Sequence, residues 1–408
     1  MHTRKDPINM AIGELKRHRL RAQVLRLLYT KGDQSATILS KKTSVSLPTV
    51  RAILDELIER KIVFASGIGD SQGGRKPALY KLRDDAFFIL AVEFGHYKAK
   101  ASLFNCHNQP ICSIHEFDTH IDDPQLEDKL AAVFEKLLAE ASLQTDKINA
   151  IGLSMPGLID SENGINRTIK DEASRDVVSR LTKRFKIKTY LGNDARAQAL
   201  GELVFGEARN TQNTTVINWS WGLGLGLILN GQIYRGSNGS AGELSHIRVV
   251  ENGDLCDCGK RGCLQTIAGA RKLLNMAGDE VNKGTISRLT SRFSANPQDI
   301  QPADIIYFAK QGDELCISLL NRISKNLAWG LSILIQLYNP ELIVLNGPLS
   351  EAGQYILIPI QQTLNQYCLE NICMNVKVRI SDAGDTIGLK GVAVMVFQNI
   401  FHDKSAHL

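Results

Sequence analysis

Long apolar runs are missing from this 408-residue sequence, and none approaches the length that a helix needs to span a bilayer. The first residues, Met1 to Asp6, have no apolar core behind them of the kind that a signal peptide carries. Short repeats, low-complexity segments and heptad runs are missing as well. These absences argue against membrane and secreted classes, so we expect a cytoplasmic protein without membrane contact.

Cysteine is scarce, with eight residues, and five of them are scattered among apolar neighbours. We expect these five to be small buried residues: Cys106, Cys112, Cys316, Cys368 and Cys373. The other three are clustered in Cys256-Asp257-Cys258-Gly259-Lys260-Arg261-Gly262-Cys263, which begins ten residues after His246. In a reducing compartment such a cluster is more typical of a metal site than of disulfides.

One imidazole and three thiols within 18 residues form a complete ligand set for one tetrahedral zinc ion per chain. The two glycines of the cluster would let the backbone fold tightly enough for the sulfur atoms to converge. Because His246, Cys256, Cys258 and Cys263 would fill all four positions, we expect the zinc to be structural and not catalytic.

Acidic residues are few in the first 83 residues, which hold 17 Lys and Arg against 7 Asp and Glu, a net charge of +10. The rest of the chain carries −5, so the total of +5 hides a basic head on an acidic body. A basic segment of this size is typical of proteins that contact a polyanion. A merely solvated basic face is the alternative.

The head has the pattern of three helices followed by two strands. An amphipathic run over 12–28 predicts the first helix, and Ser35 and Ser46 are placed to cap the second and the third. Apolar residues at helical spacing mark the inward face of the third helix: Val50, Ile53, Leu54, Leu57 and Ile58. Strands are predicted over 62–64 and 78–82. This order indicates a winged helix-turn-helix over residues 1–83.

In a winged helix-turn-helix the third helix enters the major groove of double-stranded DNA, where base edges can be read. Ser46, Thr49 and Arg51 lie on the outer or N-terminal side of that helix and are the candidate groove residues. Arg75 and Lys76 follow the flexible loop of the wing, from which they could reach phosphates or a minor groove. Bundles of three helices also mediate protein contacts, but the wing and the charge favour DNA.

From residue 87 onward strands and helices alternate, which is typical of an α/β fold. Buried strands are predicted over 88–95, 98–105, 148–154, 189–191, 216–218 and 341–347, and helices over 125–141, 195–207 and 317–338. The order favours two α/β lobes with a cleft between them. We assign 84–207 to the first lobe, to which a C-terminal helix over 388–408 returns, and 208–387 to the second lobe with the zinc site.

Three motifs of the body resemble the ROK family of repressors, open reading frames and sugar kinases. They are Gly192-Asn193-Asp194-Ala195, Gly242-Glu243-Leu244-Ser245-His246 and the cysteine cluster. The match extends over nearly the whole chain, and the basic head is similar to the winged helix of the repressor branch, with its N-acetylglucosamine-type and xylose-type repressors. The resemblance implies the two-lobed actin-like (ribonuclease H-like) fold of sugar kinases.

The resemblance also implies roles for residues at the cleft. The family's aspartate at the position of Asp194 is the general base that takes a proton from a sugar hydroxyl. Asn193, Glu243 and His246 match residues that bind sugar hydroxyls or orient the groups that do. The zinc would then fix His246 and its loop.

Two further residues complete the predicted sugar site. Gln265 stands where the family usually has a sugar-binding glutamate, so it retains hydrogen bonding but loses the charge. Gly157 lies in the turn after the strand over 148–154. On the residues alone, Asp194 could simply cap the helix that follows it, and Glu243 could be an ordinary loop carboxylate.

Two departures from the family pattern favour a regulator over a kinase. Family kinases have Asp-x-Gly-Gly-Thr in the first hairpin turn, whereas this chain has Glu93-Phe94-Gly95-His96-Tyr97. Their second phosphate loop, Gly-Thr-Gly-x-Gly, is replaced here by Ser220-Trp221-Gly222-Leu223-Gly224. Bulky rings therefore stand where a backbone should approach the phosphates of ATP.

We therefore expect a sugar-responsive transcriptional repressor that binds operator DNA through the winged helix and a sugar or sugar phosphate between the lobes. The protein would be a homodimer or homotetramer. The rival is an ATP-dependent, glucokinase-like sugar kinase with an appended DNA-binding domain, because Asp194 is retained. A dead kinase that serves as a scaffold is the third alternative.

Overall fold

A computed structural model of the chain describes residues 7–69 and 76–402, which form an α/β fold. The helices are α1 (Pro7–Lys31), α2 (Ala36–Thr43), α3 (Leu47–Glu59), α4 (Leu126–Ala141), α5 (Val177–Phe185), α6 (Asp194–Phe205), α7 (Gln265–Ala268), α8 (Ala270–Asn282), α9 (Arg288–Phe293), α10 (Pro302–Lys310), α11 (Glu314–Tyr338), α12 (Gln354–Tyr367), α13 (Glu370–Cys373) and α14 (Ile387–His402). Across the two described ranges no helix combines the length and the apolar character that crossing a bilayer requires.

The strands are shorter and are grouped in hairpins and parallel pairs. They are β1 (Gln34–Ser35), β2 (Val63–Ile68), β3 (Ala78–Leu82), β4 (Phe88–Phe94), β5 (Lys98–Asn105), β6 (His115–Asp118), β7 (Ile148–Met155), β8 (Ile159–Asp160), β9 (Ile165–Asn166), β10 (Thr189–Asn193), β11 (Thr214–Trp219), β12 (Leu223–Leu229), β13 (Gln232–Ile233), β14 (Leu342–Asn346) and β15 (Lys377–Ile380).

The predicted caps of the second and third helices of the head are confirmed. Ser35 Oγ accepts a hydrogen bond from Ile38 N (3.3 Å) at the start of α2. Ser46 Oγ accepts one from Thr49 N (3.4 Å) at the start of α3. Each hydroxyl satisfies a backbone donor that has no partner within its own helix, and so determines where the helix begins.

A small sheet with the strand order β1–β3–β2 completes the head. The structure adds β1, a pair of residues antiparallel to β3, to the two predicted strands. The inward face of α3 is buried at Val50, Ile53, Leu54 and Leu57. The prediction for Ile58 is wrong, because 39% of this residue is exposed at the edge of the apolar stripe. Arg75 lies outside the described residues, whereas Lys76 is exposed.

Two sheets with the same plan form the body. The first has the strand order β10–β7–β4–β5–β6, and the second has the order β15–β14–β11–β12–β13. In each sheet the first strand of an antiparallel meander also pairs in parallel with a later strand, and that strand pairs in parallel with one more. The repetition confirms the predicted pair of α/β lobes.

Helices α6 and α14 pack against each other between the two sheets. α6 follows the last strand of the first sheet but contacts β11 and β12 of the second. α14 follows the last strand of the second sheet but contacts β4 and β7 of the first. The division into 1–83, 84–207 and 208–387, with a helix over 388–408 returning to the first lobe, stays a prediction, and 403–408 lie outside the described residues.

Glycine and alanine let α6 contact its neighbours at backbone distance. A side chain on Gly226 in β12 would clash with Ala195 and Ala199 of α6. One on Gly391 in α14 would clash with the carbonyl oxygen of Ala197. The alanines of α6 therefore serve packing on two sides at once, in an interior that leaves no room for larger groups.

The substitution Gly391→Ala tests this packing. We expect it to lower the free energy of unfolding by roughly 1–3 kcal/mol, because the added methyl group overlaps the backbone of α6 and the two helices must separate. Urea unfolding followed by circular dichroism measures the change.

The matched control is Gly278→Ala in α8. Apart from the chain neighbours and the nearby backbone of α8 itself, no atom of the described residues lies within 4 Å of the carbon that this substitution adds. We expect a gain of up to about 1 kcal/mol there, from helix propensity alone. Equal stabilities of the two variants would contradict the close packing of α6 and α14.

Candidate functional site

The turn from β10 into α6 carries the two residues that were predicted to meet a sugar. Asn193 Oδ1 accepts a hydrogen bond from Arg196 N (3.1 Å) and so caps α6. Asn193 Nδ2 donates to Asp194 Oδ1 (3.0 Å) and to the carbonyl oxygen of Gly157 (3.3 Å). The alternative that Asp194 serves as the helix cap is therefore wrong, and its carboxylate points into a network of amides.

Asn218 holds the second oxygen of Asp194 and was not predicted. Its Nδ2 donates to Asp194 Oδ2 (3.0 Å), which joins the start of α6 to the second sheet. Burial raises the pKa of Asp194, and hydrogen bonds from Ala195 N and Asn218 offset part of the rise. The sequence did offer one signal for Asn218, since it is a polar residue near the carboxyl end of a buried strand, where sheets of α/β proteins bind ligands.

Glu243 and His246 lie on one 3₁₀ turn in the second lobe. Glu243 Oε2 is 3.9 Å from His246 Nε2. Arg196, in the first turn of α6, donates a hydrogen bond to the carbonyl oxygen of Gly239 in the preceding loop. Burial raises the pKa of Glu243, the charge of Arg196 opposes the rise, and the charge of Asp194 adds to it. The carboxylates at this end of the cleft thus share one cationic neighbour.

The ligand atoms of His246, Cys256, Cys258 and Cys263 all lie within 4.8 Å of one another, so these residues could hold a metal ion. His246 Nδ1 is 3.6 Å from Cys256 Sγ, and Cys258 Sγ is 3.7 Å from Cys263 Sγ. A tetrahedral ion with metal–sulfur bonds of about 2.3 Å requires sulfur atoms about 3.8 Å apart. The spacing of the donors therefore fits such an ion.

The geometry of the cysteine loop depends on its glycines. Gly262 has a φ of 78°, and a side chain on it would clash with the carbonyl oxygen of Val250. Gly259 has a φ of 84° in the turn that Gly259 N closes on the carbonyl oxygen of Cys256 (2.9 Å). Burial lowers the pKa of His246, which favours the neutral imidazole that a metal binds.

Gln265 lies against the metal cluster. Its Nε2 donates a hydrogen bond to Cys256 Sγ (3.0 Å). Gln265 is also the first residue of α7. Hydrogen bonds link Gly157, Asn193 and Asp194, and Glu243 lies 3.9 Å from His246. Asp194 is near enough to Glu243 for its charge to raise the pKa of Glu243. The side-chain amide of Gln265 contacts a sulfur of the cluster, and its part in sugar binding stays a prediction.

An aromatic cluster of three rings joins the two hairpin turns that replace the phosphate loops. His96, between β4 and β5, stacks on Trp221, between β11 and β12, with ring centroids 4.3 Å apart and an interplanar angle of 10°. Tyr97 packs edge-on against both rings, at 4.1 Å from His96 and 5.6 Å from Trp221. The first sheet therefore contacts the second through aromatic surface at this point.

Glu93, which replaces the family's aspartate, is held among helices. Its Oε1 accepts a hydrogen bond from Gln198 Nε2 of α6 (3.1 Å). A side chain on Gly388, in the first turn of α14, would clash with the Glu93 carboxylate. The carboxylate of Glu93 in β4 therefore contacts both α6 and α14, and these contacts are structural.

The candidate DNA-binding residues lie at the surface of the head. Ser46 Oγ and Thr49 Oγ1 are 2.7 Å apart at the N-terminal end of α3. Arg51, two residues after Thr49, is exposed on the same helix. Lys76 is exposed next to the wing, and Arg75 is outside the described residues. The structure leaves the roles of these residues as predictions.

A protein-family model described as "ROK family" matches residues 89–399. The chain belongs to the ROK family. The xylose repressor of Caldicellulosiruptor bescii is 29% identical over 94% of this chain and 98% of its own length. The N-acetylglucosamine repressor of Shigella flexneri is 27% identical over 88% of this chain and 87% of its own. The predicted family is therefore confirmed.

Solved structures of ROK proteins share the fold. A ROK family transcriptional regulator, homolog of the Escherichia coli MLC protein, superposes with a TM-score of 0.78 at 24% identity, over 95% of this chain and 98% of its own. A ROK family glucokinase from Streptomyces griseus gives a TM-score of 0.66 at 24% identity, over 76% of this chain and 98% of its own. The predicted actin-like fold class is confirmed.

We expect this ROK protein to retain about one divalent metal ion per chain after dialysis, because four convergent donors can bind a metal tightly. We expect Cys258→Ser to lose the ion, because the substitution removes one of the thiolates. Mass spectrometry of the metals in purified protein measures the content. Cys373→Ser, which changes a thiol outside the cluster, is the control and should keep the ion. Unchanged metal content in Cys258→Ser would rule out the cluster as the site.

Proposed function

We propose that this ROK protein is a sugar-responsive transcriptional repressor. Its winged helix-turn-helix head binds operator DNA, and a sugar or sugar phosphate binds in the cleft beside Asn193, Asp194, Glu243 and His246. The protein acts in the cytoplasm as a homodimer or homotetramer. Relatives named xylose repressor and N-acetylglucosamine repressor, which match nearly the whole chain, support this function.

The stack of His96 on Trp221 is the observation that carries the proposal. The two rings belong to the hairpin turns that correspond, by resemblance, to the phosphate loops of the family's kinases, and they stack on each other there. Beside it, Asp194 keeps hydrogen bonds from Asn193 and Asn218. A cleft with an ordered polar network and an obstructed phosphate region suits a protein that binds a sugar and changes conformation, because no group transfer is then needed.

Charge and exposure support contact between the head and DNA. The first 83 residues carry a net charge of +10, and Arg51 and Lys76 are exposed on the third helix and beside the wing. Ser46 and Thr49 add hydroxyl groups at the end of the helix that leads into a major groove. Cations and hydroxyls are the groups that reach phosphates and base edges.

We further propose that the ion of the cysteine cluster is zinc, with a structural role. Three thiolates and an imidazole favour zinc over harder ions. With Nδ1 on the metal, His246 keeps Nε2 for the side of the cleft where Glu243 lies. The ion would thus orient this imidazole towards a sugar. Gly157 and Gln265 complete the proposed sugar site.

The DNA-binding part of the proposal is tested with Arg51→Ala. Wild-type protein first selects double-stranded sequences from a random pool, and fluorescence anisotropy then measures affinity. We expect the variant to bind the selected DNA more weakly by about 1–3 kcal/mol, because a base contact is lost. Arg209→Ala, which removes the same charge from an exposed position outside the head, should leave the affinity unchanged. Failure of the wild type to enrich any sequence at moderate salt would overturn DNA binding.

A sugar panel in the same titration tests the response. It contains D-xylose, D-glucose, N-acetylglucosamine and N-acetylglucosamine 6-phosphate. At least one compound should change the affinity of the wild type for DNA. We expect Asp194→Asn, which keeps the shape but loses the charge that accepts hydroxyl protons, to weaken this response. An identical response in this variant would place the sugar elsewhere.

The second candidate is an ATP-dependent sugar kinase with a DNA-binding head. One observation favours it, since Asp194 is a half-buried carboxylate with a raised pKa, as suits a general base. We expect no sugar-dependent release of ADP in a coupled assay with Mg-ATP and the same panel, because the aromatic cluster obstructs the phosphates. Turnover that disappears in Asp194→Asn would instead establish the kinase.

A further inference from the structure

The head and the body meet along a seam, which comprises Tyr29 of α1, the linker 82–85, the turn 105–109 after β5 and the last turns of α14. Apolar residues of α1, α2 and α3 form one buried cluster with Phe397 and Phe401 of α14. The head is therefore not a separate body on a free tether in this structure, because its core continues into the C-terminal helix.

Tyr29 makes three contacts of defined geometry at the seam. Its ring centroid is 5.4 Å from that of Phe397 and 5.6 Å from that of Phe401. Its hydroxyl donates a hydrogen bond to Asn108 Oδ1 (2.8 Å) in the turn after β5. Burial raises the pKa of Tyr29, so the hydroxyl stays a donor at any physiological pH. One side chain of the head thus contacts two elements of the body.

Two neighbours of Asn108 hold the linker that follows the head. Cys106 Sγ donates to the carbonyl oxygen of Arg83 (2.9 Å). His107 Nε2 is 3.2 Å from the carbonyl oxygen of Leu82 and 3.0 Å from Asp84 Oδ1. Three consecutive residues of this turn, Cys106, His107 and Asn108, therefore contact the head and its linker. Through these contacts the turn helps to fix the position of the head relative to the body.

Both body elements of the seam extend back to the cleft. β5 runs to the turn after β5 from the hairpin that carries His96. α14 begins where Gly388 lies against Glu93 and ends at the seam, about 24 Å away for a helix of 16 residues. Along this length it packs on α6, whose first residue is Asp194. A shift at the cleft can therefore reach the seam through packed secondary structure.

We propose that Tyr29 and Asn108 are positioning residues that couple occupancy of the cleft to the orientation of the DNA-binding head. The inference rests on the proposed function. A bound sugar changes DNA affinity only if some contact differs between the two conformations of the protein. The hydrogen bond from Tyr29 to Asn108 and the ring contacts of Tyr29 with Phe397 and Phe401 of α14 form that contact, because they tie the head to elements that extend to the cleft.

The coupling ratio, which is the Kd for selected DNA with a sugar divided by the Kd without it, is the quantity to measure. Full-length wild type, Tyr29→Phe, Asn108→Gly and the double variant are titrated with D-xylose and N-acetylglucosamine 6-phosphate. Tyr29→Phe keeps the ring and loses the hydrogen bond. Asn108→Gly loses the acceptor at a φ of 57°, which glycine tolerates.

We expect each single variant to bring the coupling ratio roughly three- to tenfold closer to one, as the loss of one buried hydrogen bond allows. The double variant should lose no more than either single variant, because the two side chains share one contact. Affinity of the free protein for the sugar should stay near wild type, and the unfolding midpoint should fall because a buried hydrogen bond is lost. A lower midpoint with a wild-type coupling ratio would show a merely structural role. Tyr80→Phe, the same change in β3 of the head, is the control and should keep the wild-type ratio.

Two contrary outcomes can be told apart. A wild-type ratio of one with every sugar would overturn the proposed function, and the coupling with it. A wild-type response that both single variants retain in full would overturn the coupling alone. If one variant fails to fold, the other still decides, since each removes the same hydrogen bond from a different side.

Discussion

The cleft depends on the contact of α6 with its neighbours at backbone distance. Glycines of β12 and α14 bring the alanines of α6 against both, and a buried carboxylate adds a polar tie. Glu202 Oε1 accepts a hydrogen bond from Asn346 Nδ2 of β14 (3.0 Å), and Glu202 Oε2 accepts one from Glu207 N (2.8 Å). Because so many short contacts place this helix, its cap Asn193 and its first residue Asp194 are oriented by packing along the helix and not by a ligand, as a preorganised site requires.

The imidazole of His246 contacts two different groups through its two nitrogen atoms. Nδ1 faces the cysteine cluster, and Nε2 faces Glu243 on the side of the cleft. An ion held by four protein donors has no open position for chemistry, so its effect on the cleft is mechanical. It would restrain the loop that carries both Glu243 and His246, because the cysteines at its far end cannot move independently of the histidine.

Local signals predicted much of this structure, and non-local contacts account for what was missed. Ser35 and Ser46 could be assigned as caps because a cap acts within three residues. β1 has two residues and no pattern of its own, and it exists only because β3 lies beside it. The hydrogen bond from Asn218 to Asp194 joins residues of different sheets, so no local pattern could predict it. Gly224 was assigned to a degenerate phosphate loop, whereas in the structure it lies in β12, where a side chain would clash with Ala195.

The free energy of the aromatic contact between the lobes is comparable to the free energies that couple ligand sites in regulated proteins. Stacking of His96 on Trp221 contributes on the order of 0.5–1.5 kcal/mol beyond the area that it buries. Coupling free energies between ligand sites are typically about 1–3 kcal/mol. A contact of this size between the lobes is strong enough to favour one arrangement, and a sugar that binds the other arrangement better can still reverse the preference. Under the proposed function the rings do more than obstruct ATP, because their contact is an interaction that one arrangement of the lobes has and another lacks, and a sugar that prefers one arrangement would shift the balance.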